Sequence, residues 1–166
     1  LAGQERPLIV AAAEPMASIF RSVASYPHVA DRVIPGSADN TPDHELAARA
    51  RDVLDAIYAA EISDLGALYA TRESQGRATA DIAQAARAAT FGAVDTLIVD
   101  MDAVVPGTVD DEDGKVTFAD QADALNYGVV DEIARRALRS GARVVAARRA
   151  DLPGGGDLAA ILRYAI

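Results

Sequence analysis

Arginines form the one basic concentration in an acidic chain of formal net charge −9. They stand near the C-terminal end of the sequence, at Arg135, Arg136, Arg139, Arg143, Arg148 and Arg149. Because the guanidinium fork matches phosphate geometry, this cluster is a candidate RNA or ribosome contact. The alternative is a solvated helix face, on which arginines pair with Asp131 and Glu132 and favour the helix C-terminus. The sequence leaves both interpretations open, and we add Arg163 of the predicted closing strand as a further candidate contact.

Carboxylates are concentrated at residues 110–113, immediately before Gly114. A calcium loop of the EF-hand type needs a glycine at position six and a glutamate at position twelve. Counted from Asp110, Gly114 falls at position five and Gln121 at position twelve, so the pattern fails. The run therefore predicts the solvated tip of a hairpin, and we assign no metal site.

The residues suited to nucleophilic catalysis or phosphate binding lack the neighbours that such chemistry needs. Neither His28 nor His44 is accompanied by a Gly-x-Ser-x-Gly nucleophile motif, which favours surface or capping roles. The glycine cluster at residues 154–156 has no P-loop lysine and precedes a predicted strand, which favours a flexible turn. We therefore predict no catalytic residue and no cofactor in this chain.

The composition narrows the class of protein. A chain of 166 residues with 51% hydrophobic content can form one or two packed domains. It has no cysteine, which excludes disulfides and thiolate metal sites, and its apolar runs are too short to span a bilayer. An acidic surface repels phosphate backbones, so strong nonspecific nucleic-acid binding is not expected. These features favour a cytoplasmic protein.

The first part of the chain predicts a strand, a helix, a second strand and then a long helix. Residues 7–13 form an apolar run without helical period, typical of a buried strand, and residues 29–34 suit another. The helix predicted between them, over residues 15–25, has one apolar face: Met16, Ile19, Phe20 and Val23.

A long helix is predicted from Thr41 and Pro42, a suitable cap and first turn, to about Arg72. Its inner stripe should consist of Leu46, Ala50, Val53, Leu54, Ile57, Ile62, Leu65 and Leu68. A helix of this length is expected to join two packing units.

Strands and helices alternate at short spacing after Gly76. Strands are predicted at residues 77–80, 94–99, 144–146 and 160–166, and helices at residues 81–91 and 129–138. Val104 and Val105, a tight Asp113-Gly114 turn and residues 116–118 predict a hairpin. This order indicates an α/β fold with a mainly parallel sheet flanked by helices. We expect residues 161–166 to form an exposed edge strand that can pair with a partner or with another copy.

Three stretches follow one another along the chain: residues 88–99, residues 141–145 and residues 159–164. In this order they resemble segments of the archaeal and eukaryotic class-1 peptide-chain release factors and of Pelota, and the chain resembles a bacterial branch of that family. Residues 88–99 are similar to the Gly-Ala-Val-Glu segment that opens the family's last domain. Residues 141–145 are similar to its Gly-Ala-x-hydrophobic strand, and residues 159–164 to its Gly-Gly-Ile-Leu-Arg-Tyr closing strand. More weakly, residues 8–12 resemble the end of the family's middle domain, which has an RNase H-like fold.

The resemblance implies three segments: residues 1–40 as the tail of the middle domain, residues 41–75 as a connecting helix, and residues 76–166 as the C-terminal α/β domain. A start at Leu1 without methionine, close to a strand, predicts a fragment of a longer protein. The family's hydrolytic Gly-Gly-Gln loop does not occur in this sequence. The Gly-x-Asn-Glu signature of related kink-turn RNA binders is also missing, since its slots hold Asp81, Ile82, Ala83 and Gln84.

The leading hypothesis is a non-catalytic C-terminal interaction module of a release-factor-like or ribosome-rescue-like protein. The resemblance implies the ribosome or a translation GTPase-like protein as partner, with weak or absent direct RNA binding. One alternative is a fragment of a peptidyl-tRNA or other ester hydrolase whose catalytic loop lies upstream. The other is a fold retained for a role outside translation.

Overall fold

The structure is a computed structural model that describes residues 6–121 and 128–165. The chain divides into two compact units, Leu1–Glu61 and Ile62–Ile166. Among the helices so described, none is both long and apolar enough to cross a membrane.

The first unit contains the predicted helix, but each of the two predicted strands is represented only by isolated bridges. Leu8 pairs with Val29 and Ala11 with Ile34, both in parallel, as two isolated bridges. Leu8 and Ala11 are three positions apart, whereas their partners Val29 and Ile34 are five positions apart. The two segments therefore do not form a continuous ladder between the bridges. Helix α1, Met16–Val23, connects the two segments.

The apolar face predicted for α1 is not buried. Its four large side chains are between 40% and 74% exposed: Met16, Ile19, Phe20 and Val23. The buried residue of α1 is Ala17. The core of this unit lies instead between Ala30, Ile34 and Val53.

Helix α2, Asp43–Glu73, is the predicted long helix. Its first half places Leu46, Ala50, Val53 and Ile57 at the core of the first unit, whereas Ile62, Leu65 and Tyr69 pack in the second. Two residues of the predicted stripe, Leu54 and Leu68, are exposed; Tyr69 takes the inner position that we expected for Leu68. Thr41, the predicted cap, stands two residues before the helix, and its hydroxyl donates to the Ser37 carbonyl at 2.9 Å.

The second unit is a four-stranded sheet with helices packed on it. The strands are β1 (Ala78–Thr79), β2 (Val94–Asp100), β5 (Arg143–Ala147) and β6 (Leu158–Leu162), in the order β1-β6-β2-β5. Helices α3 (Ile82–Thr90) and α4 (Val129–Arg139) pack on one face with Leu97. The last turns of α2 pack on the other face with Ile98. The predicted α/β fold is confirmed.

The sheet is mixed rather than mainly parallel. β5 runs parallel to β2, but β6 runs antiparallel to both β1 and β2. Two 3-10 turns, Arg149–Asp151 and Pro153–Gly155, connect β5 to β6. A connection this short cannot return the chain to the far end of the sheet, as a parallel crossover of a dozen or more residues does.

The closing strand also differs from the prediction of an exposed edge at residues 161–166. β6 ends at Leu162 and lies between β1 and β2, so its residues are buried on both faces. Ile166 lies outside the described residues. The edges of the sheet are β1 and β5.

The predicted hairpin is present, with its second strand at the predicted residues, a different first strand and a wider turn. β3 is Gly107–Val109 and β4 is Val116–Phe118, so Val104 and Val105 precede the hairpin instead of forming it. The loop between the strands is stabilised by Asp110, whose Oδ1 accepts from the backbone N–H groups of Glu112 and Asp113. This Asx-type loop replaces the two-residue turn that Asp113-Gly114 suggested.

Candidate functional site

Arg136 of α4 is the most completely bonded of the candidate arginines. Its side chain is 9% exposed, and Nε donates to Glu132 Oε1 at 2.6 Å. Nη1 donates to Thr90 Oγ1 and to the Asp110 carbonyl, both at 2.7 Å. Nη2 donates to the Val109 carbonyl at 3.0 Å and to Asp111 Oδ1 at 2.7 Å. A guanidinium has five N–H donors, so Arg136 has none left for a phosphate or a partner.

Glu132 connects Arg136 to its neighbour Arg135. Arg135 Nε donates to Glu132 Oε2 at 2.7 Å, and its Nη2 approaches Oε1 of the same carboxylate. The hydrogen bond from Arg135, followed by that from Arg136, holds the pKa of Glu132 below its usual range against the effect of burial. The same carboxylate raises the pKa of Arg135. Glu132 is therefore ionised at neutral pH.

The tip of the β3–β4 hairpin rests on α3. Gly114 has a φ of +71°, and a Cβ at this position would lie 2.7 Å from Thr90 Oγ1 and 2.8 Å from Arg87 Cα. The carboxylates before it, Asp111, Glu112 and Asp113, are exposed. Backbone hydrogen bonds from Asp113 and Glu112 lower the pKa of Asp110, whose carboxylate thus serves the loop itself.

The C-terminal turns of α3 and α4 border an open groove of about 510 Å³. We call it the α3–α4 groove; its lining is Ala89, Thr90, Phe91, Gly92, Asp111, Arg135, Arg136, Arg139 and Ser140. Phe91, at the C-cap of α3, leaves 59% of its surface exposed. Sequence reasoning missed Phe91, although its position directly before Gly92 at a helix end was a usable signal.

Arg139 differs from the other candidates. It is exposed, and the residues 6–121 and 128–165 supply it with no hydrogen bond, ion pair or ring contact. It lines the α3–α4 groove one helical turn beyond Arg135. Its guanidinium is therefore available to a partner.

Arg163 follows β6 and contacts both helix ends. Its Nη1 donates to the Gly92 carbonyl at 3.0 Å and its Nη2 to the Ser140 carbonyl at 3.1 Å. Gly92 and Ser140 stand at the C-terminal ends of α3 and α4, where backbone carbonyls lack helical partners. A cation at this place also interacts favourably with both helix dipoles, so Arg163 joins the two helix ends.

The remaining arginines lie at the two ends of β5. Arg143 begins this strand, whereas Arg148 and Arg149 follow its end, and all three are exposed. Arg149 Nη1 lies 3.0 Å from Asp157 Oδ1 and 3.8 Å from Oδ2 of the buried Asp100. The fold thus divides the arginine cluster: Arg135, Arg136 and Arg139 line the groove, whereas Arg148 and Arg149 lie after the end of β5.

Two solved structures have this fold. The C-terminal domain of a peptide chain release factor from Methanosarcina mazei aligns with a TM-score of 0.53 and 20% identity, over 76% of this chain and 98% of that one. Pelota from Archaeoglobus fulgidus aligns with a TM-score of 0.51 and 17% identity, over 95% of this chain and 49% of that one. The family model for bacterial archaeo-eukaryotic release factor family 11 matches residues 1–60. The predicted resemblance to the release-factor and Pelota-like family is confirmed.

The chain spans about half the length of the Pelota chain that it matches. None of the curated proteins compared matches its sequence. With the two solved structures, the similarity is one of fold, and the C-terminal domain of the release factor is covered almost completely.

The closing motif of the release-factor and Pelota-like family has a structural basis here. Ile161 and Leu162 belong to β6 and pack on opposite faces of the sheet. Arg163 then caps the two helix ends. The motif that carried the sequence resemblance is thus the last part of the core.

The residues that were compared with the kink-turn signature, Asp81 to Gln84, lie at the start of α3. Asp81 Oδ1 accepts from the Gln84 N–H at 2.8 Å, as an N-cap does. Gln84 Oε1 in turn accepts from the Thr79 hydroxyl at 3.0 Å. The Gln84 N–H is therefore hydrogen-bonded within the domain itself.

No catalytic constellation forms around the two histidines in the part of the chain that the structure describes. The His28 ring lies edge-on to Tyr26, with centroids 5.5 Å apart. Neither imidazole is hydrogen-bonded to a carboxylate or a hydroxyl of a described residue. Nucleophilic catalysis needs a base within such reach of its nucleophile.

Proposed function

We propose that the chain is the C-terminal part of a bacterial release-factor-like or ribosome-rescue-like protein, and that its second unit is a non-catalytic interaction module. In this proposal residues 1–40 are the tail of the middle domain and residues 76–166 form the interaction module. Residues 41–75 are the helix that connects the two. Its partner is the ribosome or a translation GTPase-like protein, which implies action in the cytoplasm.

One observation carries the proposal. The chain covers 98% of the C-terminal domain of an archaeal peptide chain release factor with the same fold. The match of residues 1–60 to a bacterial release-factor family adds support from a different part of the chain. Together they favour a role in translation over reuse of the fold elsewhere.

The charges of the second unit support a binding role rather than a chemical one. Arg136, Glu132 and Arg163 are engaged in contacts that hold hairpin and helices together. The acidic balance of −9 also favours a protein surface over bare RNA as partner.

Co-sedimentation of the intact protein with ribosomes tests the proposal. We expect it to pellet with ribosomes from growing or stressed cells, directly or together with a translation GTPase. A variant with R139E, R143E and R148E removes three exposed cations and should pellet less. The matched control carries R32E, R49E and R51E, exposed positions of the first unit, and should pellet like the wild type.

The absence of ribosome association under every condition, with and without added translation GTPases, contradicts the proposal. Equal loss in both triple variants attributes the association to net charge instead of to the module.

A further inference from the structure

The α3–α4 groove combines an exposed aromatic side chain with an unpaired cation. Phe91 is 59% exposed, and Arg139, which also lines the groove, has no partner among the described residues. Phenylalanine and arginine are both enriched in protein interfaces relative to the rest of the surface. The groove therefore has the composition of a contact site.

The charge of the groove is opposite to that of the chain. Three of its lining residues are arginines: Arg135, Arg136 and Arg139. The lining contains one carboxylate, Asp111, while Glu132 pairs with Arg135 and Arg136 beside it. A locally positive groove on a chain of net charge −9 is complementary to an acidic partner, and such complementarity favours both encounter and specificity.

We propose that the α3–α4 groove binds an acidic segment of a protein partner, with a carboxylate on Arg139 and an apolar side chain against Phe91. The inference rests on the proposed interaction role and names the surface and the chemistry of the partner. A protein segment suits the groove better than RNA, because the groove offers a single unpaired cation, Arg139, beside the exposed Phe91, whereas a phosphate backbone is bound through several unpaired lysines and arginines. Arg135 and Arg136 remain bound to Glu132 and supply background potential, so Arg139 is the residue that pairs directly.

A direct test uses nuclear magnetic resonance on the intact protein. The probe is a synthetic peptide of glutamate, aspartate and serine with one central phenylalanine. We expect it to shift the backbone signals of Phe91, Gly92 and Ser140 and the side-chain signal of Arg139, at peptide concentrations up to about 1 mM, the weak end of the affinity scale. Three further ligands are compared: the peptide with serine for phenylalanine, the peptide with lysine for the acids, and oligouridylate.

Two variants locate the contact. R139E should weaken the acidic peptide about tenfold or more, since it replaces attraction by repulsion, and F91S should weaken only the peptide that contains phenylalanine. R32E is the matched control and should bind like the wild type, because Arg32 is an exposed residue of the first unit. Thermal melting of each variant verifies that folding is retained.

Several outcomes overturn the inference. They are shifts spread over the whole surface, equal binding of the lysine peptide, tighter binding of oligouridylate, and unchanged affinity in R139E. The result is separable from the proposed function: a protein that pellets with ribosomes equally well with and without R139E keeps its role but does not use the groove. A protein that binds the peptide and never associates with ribosomes or translation GTPases has the groove without that role.

Discussion

Arg136 Nε lies 2.6 Å from Glu132 Oε1, and this pair on α4 reaches α3 and the β3–β4 hairpin through the other four donors of the guanidinium. The hairpin therefore depends on a buried cation as well as on its own backbone pairing. Burial of a cation is tolerated when every donor is satisfied. Arg136, which the sequence suggested as a candidate contact with RNA or a partner, therefore stabilises the fold.

Arg136→Met should lower the free energy of unfolding by about 3 kcal/mol, because breaking a buried pair leaves its partners desolvated and unpaired. Urea denaturation measures the loss, and hydrogen exchange should accelerate first in β3 and β4. The control is Arg135→Met, which removes an exposed pair and should cost less than about 1 kcal/mol. Equal losses in the two variants would contradict the role of Arg136.

Gly114→Ala should destabilise the second unit more than Gly76→Ala. Both glycines have positive φ, +71° and +67°, so each substitution has the left-handed backbone penalty of about 1 kcal/mol. A Cβ at Gly76 meets open space, whereas one at Gly114 meets Thr90 and Arg87. Thermal or urea unfolding of the two variants isolates the steric part, and similar values would show that the hairpin tip is not held against α3.

Glu132→Gln should lower stability at neutral pH and have a diminishing effect in acid. The pKa of Glu132 is lowered in the folded protein, first by its hydrogen bond from Arg135. Its contribution is therefore complete above the ordinary glutamate pKa of about 4.3 and is lost as the pH falls through the lower, folded value. The difference in unfolding free energy between wild type and variant, measured from pH 7 to pH 3, should shrink below about pH 4.3. A difference that grows toward acid contradicts the assignment.

Arg163→Gln should destabilise the domain by about 1–2 kcal/mol, since the carbonyls of Gly92 and Ser140 lose a charged donor. Chemical denaturation gives the magnitude. If Arg163 instead serves a partner, the variant will retain wild-type stability and lose only ribosome association. Arg139→Gln is the comparison, because Arg139 has no partner among the described residues and its loss should leave stability unchanged.

Much of the element order was predictable from local patterns. The long helix, α3, α4 and the central strands appear near their predicted positions because helical periodicity, glycine stops and short apolar runs are signals between near neighbours in sequence. The direction of β6 was not predictable in this way. It depends on the short turns after β5, which bring the chain back into the sheet at the end where β5 finishes.

The sequence by itself determined the types and order of the elements and the resemblance to release factors, since both reside in short contiguous segments such as residues 161–164. Only the tertiary structure decided what each arginine does. Arg136 meets Thr90 across 46 positions, Arg163 meets Gly92 across 71 positions, and Arg139 stays unpaired on the groove. The three side chains carry the same guanidinium group, but each lies among different neighbours. Their roles differ because those neighbours come from segments that are distant in the chain.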